Sequence, residues 1–340
     1  MRRYLIVGPA WVGDMVMAQS LFITLRQQQA DCLIDVLAPG WSLPLLARMP
    51  EVRTGIEVPI AHGEFALAER WRLGRALRGE HYDQAIVLPR SFKSALIPFF
   101  AKAAQRTGYR GEMRYGLLND IRPLDKTLLT QTVQRFVALG LQANVALPSQ
   151  IPYPHLQVDR GNQLALLQRL GLGDEKALIA LLPGAEYGPA KQWPAEHYAS
   201  LAVQLHAQGY RVVIIGSQKD NAIAEAIIAQ SSAPLDNLCG QTSLTDAIDL
   251  IAACRAAVSN DSGLMHIAAA VGTPLVAIYG SSTPDYTPPL SRRAAICYRR
   301  VACSPCFKRV CPLGHTDCLK GINADEVFMR LVSLLRDGND

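Results

Sequence analysis

Ser259-Asn260-Asp261-Ser262-Gly263-Leu264-Met265-His266 is followed by an apolar run over 267–271, by Gly272-Thr273-Pro274, and by Leu275-Val276-Ala277-Ile278-Tyr279-Gly280. The pattern predicts a strand over 256–259, a polar turn, a helix over 263–271 and a second strand over 275–279. Free backbone N–H groups and the positive helix end at such a turn suit an anionic ligand. Asp261 and Ser262 are good N-cap residues in their own right. A cap alone does not call for Gly263 beside it and His266 one turn further on. The combination favours a phosphate or nucleotide site in a strand-to-helix crevice.

The chain has 340 residues, which favours two domains over a single core. About half of it is apolar and the net charge is +5. The mild positive charge contains no basic run of the kind that binds nucleic acid. No apolar segment is long enough to span a bilayer. The start Met1-Arg2-Arg3 leads into a short strand rather than a signal-peptide core. A cytoplasmic protein is therefore expected, with its eight cysteines as thiols or metal ligands rather than disulfides.

Working outward, the second half predicts strands over 178–182 and 211–215 and helices over 195–208, 221–230 and 244–253. The first half repeats the alternation, with strands over 4–7, 33–37 and 84–88 and helices over 15–28, 65–78 and 92–103. Alternation of this kind predicts parallel sheets wrapped by helices. The stretch Leu147-Pro148-Ser149-Gln150-Ile151-Pro152-Tyr153-Pro154 interrupts it and reads as a linker. Two α/β domains with a cleft between them result, and a last helix over 324–335 could pack on either.

Three further turns carry chemistry. Gly8-Pro9-Ala10-Trp11-Val12-Gly13-Asp14 lacks the G-x-G-x-x-G spacing, which argues against a dinucleotide site. It does set Asp14 where a helix begins, either as an N-cap or as a general base at the C-terminal edge of a sheet. Pro183-Gly184-Ala185-Glu186-Tyr187-Gly188-Pro189-Ala190-Lys191-Gln192-Trp193-Pro194 is a shaped loop, and Pro194 is suited to open a helix at N1. Lys191 near a helix start conflicts with the dipole unless an anion also lies there. A diphosphate would resolve the conflict, and a solvated surface lysine is the competing explanation. Pro89-Arg90-Ser91-Phe92-Lys93-Ser94 also follows a strand, and it lies within a region, 70–126, with twelve basic and five acidic residues. That excess fits an anionic partner for the first domain better than a solvated helix face.

Cys303-x2-Cys306-x4-Cys311-x6-Cys318, with His315 inside it, has the spacing of metal ligands. A structural zinc on the four thiols leads, with His315 as a substitute ligand. Reduced buried thiols and a disulfide formed on isolation compete with it. An iron–sulfur cluster ranks lower, since nothing else in the chain suggests redox work.

Several blocks resemble the ADP-heptose:lipopolysaccharide heptosyltransferases: Trp11-Val12-Gly13-Asp14-Met15, Pro183-Gly184-Ala185-Glu186 with Lys191-Gln192-Trp193-Pro194, and Asn260-Asp261-Ser262-Gly263-Leu264-Met265-His266. Arg90-Ser91-Phe92-Lys93-Ser94-Ala95 and Arg110-Gly111-Glu112-Met113-Arg114-Tyr115-Gly116-Leu117-Leu118 point, within that family, to transfer of the second heptose. The resemblance implies a GT-B fold: an α/β chain with two Rossmann-like domains whose parallel sheets face a central cleft. Residues 1–155 would bind acceptor and 156–322 the nucleotide sugar, with 323–340 a final helix and tail. It implies metal-independent, inverting transfer of L-glycero-D-manno-heptose from ADP-heptose to the first heptose of the lipopolysaccharide inner core, carried on Kdo–lipid A at the inner membrane leaflet. Asp14 would be the general base, and Lys191 would neutralise the leaving diphosphate. Donor contacts would come from Gly184, Ala185, Glu186, Lys191, Asp261, Ser262, Gly263 and His266, with Ala185 and Glu186 acting through their backbone. Acceptor contacts would come from Trp11, Gly13, Arg90, Ser91, Lys93, Arg110 and Arg114. Another core heptosyltransferase, a non-catalytic nucleotide-binding module and a sugar-nucleotide epimerase are the rival functions.

Overall fold

The computed structural model describes residues 1–61, 63–173 and 176–337. The chain divides into two compact units, Met1–Pro154 and His155–Asp340. The first holds six strands: β1 (Arg3–Val7), β2 (Leu33–Ala38), β3 (Thr54–Glu57), β4 (Gln84–Val87), β5 (Gln105–Tyr109) and β6 (Asp120–Arg122). The second holds β7 (Leu178–Leu182), β8 (Arg211–Ile214), β9 (Asp236–Asn237), β10 (Ala256–Asn260), β11 (Leu275–Tyr279) and β12 (Ala294–Tyr298).

The sheet orders are β3-β2-β1-β4-β5-β6 and β12-β11-β10-β7-β8-β9. Numbered within its own unit, each sheet runs 3-2-1-4-5-6, and every pairing is parallel. This is the doubly wound order, in which strand order reverses between the first and fourth strands. The reversal opens a crevice at the C-terminal ends of β1 and β4 in one unit and of β7 and β10 in the other.

The central strands form because Leu178-Ile179-Ala180-Leu181-Leu182 and Leu275-Val276-Ala277-Ile278-Tyr279 are apolar on both faces and wholly buried. Such continuous runs suit a parallel sheet covered on both sides. The strands not anticipated, β3, β5, β6, β9 and β12, include the short edge strands, where half-exposed side chains erase the apolar signal. Helices Thr132–Gly140 and Arg160–Arg169 were also not anticipated. The first buries its face against helix Val12–Gln28. Gly140 permits the contact, because a Cβ there would lie 2.3 Å from Leu21.

Helix Val12–Gln28 begins three residues earlier than its apolar run. The expected 92–103 helix is a short 3-10 turn, Phe92–Ala95, followed by Leu96–Phe100. The final helix, Ala324–Asp337, packs on helix Ala195–Ala207 and on β10, β11 and β12, so it belongs to the second unit rather than standing apart. Residues 338–340 of the expected tail lie outside the described residues. Among the described residues no helix is long and apolar enough to cross a membrane.

One buried charge fixes the inner strands of the first sheet. Asp35, 2 % exposed on β2, takes both Nε (2.8 Å) and Nη2 of Arg53 and the Tyr82 hydroxyl (2.6 Å). Asp35→Ala leaves the phenol without its acceptor and the guanidinium with Glu80 alone (2.8 Å). It is expected to lower unfolding free energy by about 3–5 kcal/mol in urea titration; a loss below about 1 kcal/mol would show that the triad is replaceable.

Candidate functional site

In the second unit, four segments meet at the C-terminal ends of β7 and β10. Asn260 ends β10, and its buried carboxamide joins three of them. Its Oδ1 accepts the Trp193 N–H (3.0 Å) and the Tyr198 hydroxyl (3.1 Å), and its Nδ2 donates to the Pro183 carbonyl (2.7 Å). Trp193 is fully buried, packs edge-on against Tyr198 and donates its indole N–H to the Ile322 carbonyl (2.8 Å). The loop 183–193 is therefore tied to β10 at both of its ends.

That anchoring delivers Lys191, in the 3-10 turn Pro189–Lys191, to Asp261. The Lys191 ammonium lies 2.5 Å from Asp261 Oδ2, which also accepts the Ser282 hydroxyl at 2.5 Å. Asp261 is buried and Lys191 only partly so. A charge-assisted pair of this kind holds a long side chain in one place. An anion entering from the open side meets a lysine already positioned and the first N–H groups of helix Gly263–Ala270. Ser262 is the N-cap of that helix, its hydroxyl accepting from Met265 N–H (3.4 Å). Asp261 is thus freed from the capping role that its residue type allows. Pro194, expected at N1, is instead the N-cap of Ala195–Ala207.

His266 is 4 % exposed. Burial, more than its charged neighbours, pushes its imidazole down to about 4, with Lys191 lowering it further and Asp261 opposing. It is neutral at physiological pH and able to offer one N–H and one acceptor. Gly184 faces the Asp220 carboxylate so closely that a Cβ would sit 2.8 Å from it. Ala185 is buried, whereas the exposed Glu186 pairs with Lys219 at 2.7 Å. The Glu186 side chain thus points toward the 216–220 turn.

In the first unit, Asp14 occupies the third position of helix Val12–Gln28, partly buried, directly after β1. Its N-cap is Trp11, 47 % exposed and without a side-chain cap, so Asp14 is not the cap. A carboxylate in the first turn is favoured by the helix dipole. The loop after β4 carries exposed Arg90 and partly buried Ser91 and Lys93. It is joined to the loop after β5, where Phe92 N–H donates to Glu112 (2.6 Å) and a Cβ on Gly111 would lie 2.3 Å from the Arg90 carbonyl. Exposed Arg110 shares that edge.

Arg114, expected to face an acceptor, does not. It is 2 % exposed, and its guanidinium donates to the carbonyls of Pro89 (2.8 Å) and Tyr109 and to the Ser94 hydroxyl (3.3 Å). It braces the two loops that carry Arg90 and Arg110. The local positive excess has the same explanation in part. Arg70, Arg78, Arg106 and Arg122 also bond backbone carbonyls within their own unit. Sequence counts charges without showing which are directed inward. The four cysteines line one small cavity with His315. Among the described residues, however, no three His, Cys, Asp or Glu side chains stand close enough to hold an ion as they are placed.

Two doubly wound parallel-sheet units give the chain the GT-B-like fold of the heptosyltransferases. Residues 70–317 match the model of glycosyltransferase family 9 (heptosyltransferase). The chain is 48 % identical to lipopolysaccharide heptosyltransferase 2 of Salmonella typhimurium, over 98 % of this chain and 99 % of that one. It is 52 % identical to lipooligosaccharide heptosyltransferase 2 of Haemophilus influenzae, over 86 % and 87 %. It superposes on the structure of Escherichia coli ADP-heptose lps heptosyltransferase II with a TM-score of 0.89, at 44 % identity and 100 % coverage of both chains. The chain belongs to glycosyltransferase family 9, the heptosyltransferases.

Because the His266 imidazole in the fold sits below its ordinary value of 6.5, the unfolded chain binds this proton more readily. Its contribution to stability is complete above about pH 6.5 and falls as pH drops toward 4. Unfolding titrations at pH 7 and 4.5 are expected to show a difference smaller in His266→Gln than in wild type, by up to about 3 kcal/mol. Equal differences would mean that the imidazole is not held neutral.

Proposed function

We propose that this chain transfers L-glycero-D-manno-heptose from ADP-heptose to the first heptose of the lipopolysaccharide inner core, with inversion. The observation that carries the reading is the Lys191–Asp261–Ser282 arrangement at the β7–β10 switch point, in a chain similar along nearly its whole length to heptosyltransferase 2 proteins. The first unit contributes Asp14, Trp11, Gly13, Arg90, Ser91, Lys93 and Arg110 to acceptor handling. The second contributes Gly184, Ala185, Lys191, Asp261, Ser262, Gly263 and His266 to the donor.

In this reading the acceptor hydroxyl attacks the anomeric carbon as its proton passes to Asp14. The bond from that carbon to the diphosphate oxygen breaks, and ADP departs with the electron pair. Lys191 neutralises the growing phosphate charge in this reading, and because Asp261 already holds its ammonium, little reorganisation accompanies the step. Asp261 keeps the ammonium in place before the donor arrives, and neutral His266 adds a directed polar group without a competing charge. The acceptor is lipid-linked and anionic, so the enzyme works in the cytoplasm at the face of the inner membrane, where exposed Arg90 and Arg110 suit the acceptor's charge.

Product mass spectrometry tests this directly. Purified protein with ADP-heptose should add one heptose to a Kdo–lipid A acceptor already bearing heptose and none to the acceptor lacking it. Addition only to the latter would move the assignment to the first transfer. Asp14→Asn is expected to lower kcat by about 10²–10⁴ while ADP binding by calorimetry is unchanged. Lys191→Ala should lose about 10²–10³ in kcat/KM and weaken ADP binding as well. Full turnover in Asp14→Asn would exclude it as the base.

A further inference from the structure

The segment from Cys303 to Cys318 has no part in the proposed transfer, yet it packs against the loop that carries Lys191. Tyr187 donates its hydroxyl proton to the Phe307 carbonyl (2.8 Å), and the Ala190 N–H donates to the Arg309 carbonyl (3.0 Å). Gly188, with φ of +152°, approaches Arg309 so closely that a Cβ would lie 2.5 Å from its carbonyl oxygen. On the other side, Phe307 N–H donates to Ser281 O (2.7 Å) and the Ser304 hydroxyl to Gly280 O (2.6 Å). Residues between the first and third cysteines therefore brace both neighbours of the Asp261 carboxylate: the Lys191 turn and the strand end leading to Ser282.

What braces the brace is the cavity behind it. Cys303, Cys306, Cys311 and Cys318 all line one space of about 20 Å³. That is room for about one water molecule or a single ion. Ser281 lines the same space; the residue is 2 % exposed, and its hydroxyl oxygen has no hydrogen-bond partner. A buried hydroxyl without a partner is costly, which points to a polar occupant. The Cys311-Pro312-Leu313-Gly314-His315 turn, with Gly314 at φ +73°, is closed by the Gly314 N–H donating to the Cys311 carbonyl (3.2 Å). His315 Nδ1 accepts the Asp317 N–H at 3.0 Å, which leaves the ring proton on Nε2, 4.0 Å from Cys303 Sγ. The imidazole is thus set to donate toward a sulfur rather than to ligate. The thiols are not drawn together to ligating distance. Side-chain rotation around the shared cavity is the change a cation would require.

We propose that Cys303, Cys306, Cys311 and Cys318 bind one divalent cation of the zinc class as thiolates, with His315 as their hydrogen-bond donor, and that the metallated segment fixes the Lys191 loop for diphosphate binding. Four thiolates favour tetrahedral zinc or iron over hard cations. The second half rests on the donor-site reading above, and the first does not.

The test uses the full chain purified under reducing conditions. Elemental analysis is expected to find about one zinc or iron per chain, and cobalt exchange to give the visible spectrum of a tetrahedral thiolate site. That spectrum should be lost in Cys306→Ser and in Cys311→Ser and retained in His315→Gln. Chelation of the wild type, which needs no variant to fold, should lower Tm and weaken ADP binding about tenfold, with zinc restoring both. Less than a tenth of an equivalent of metal, with no uptake of added zinc or cobalt by the reduced protein, would overturn the site. Stoichiometric metal whose removal leaves ADP affinity unchanged would overturn the positioning role. Failure of the fully metallated chain to bind ADP at all would instead count against the donor-site reading.

Discussion

The second unit depends on one buried carboxamide. Asn260 is simultaneously the end of β10, the acceptor for the backbone of Trp193 and the donor to the carbonyl of Pro183. A parallel sheet leaves its strand ends to diverging loops, and nothing in the ladder holds those loops to each other. Asn260 supplies that link with every polar atom engaged but one donor hydrogen, in a place from which water is excluded. It helps to fix the Lys191 ammonium against Asp261, although the two come from segments seventy residues apart. The order of dependence runs from the carboxamide to the loop, from the loop to the ion pair, and from the ion pair to any chemistry at a diphosphate.

A second theme is the use of arginine as internal mortar. Arg53, Arg114 and Arg122 each cross between elements and satisfy carboxylates or carbonyls that a loop would otherwise leave bare. The planar guanidinium, with five donors and a permanent charge, suits this better than lysine. It also means that a basic stretch is a poor guide to an anionic partner. In the first unit the exposed Arg90 and Arg110 stand on loops whose shape is set by the buried Arg114. Only part of the local positive charge is therefore available to a partner.

Much of the architecture was legible in the chain. Strands 178–182 and 275–279 announce themselves because a fully buried parallel strand must be apolar at every position. Helices Asn221–Gln230 and Leu244–Ala253 were placed to the residue, since a polar cap and an apolar stripe mark both ends. The edge strands and the helix Arg160–Arg169 were not, because a half-exposed segment satisfies itself partly with water and carries no strong period. At the candidate site, Asp14, Lys191 and Asp261 stood out as polar residues at turns that leave strand ends. Ser282 and Asn260 acquired their importance only through partners distant in sequence, and Arg114 was assigned outward when it faces inward.

Local patterns along the chain set the alternation of strand and helix, the two-unit division near residue 154 and the family to which the blocks belong. These follow from local periodicity and from residues that must be adjacent to work. Tertiary structure alone decided which charges meet. The pairing of Lys191 with Asp261, the burial that keeps His266 neutral and the bracing of the Lys191 loop by the cysteine segment all depend on where separate strands end. Solvent exclusion and distance set those interactions, and neither is a property of any one stretch of chain.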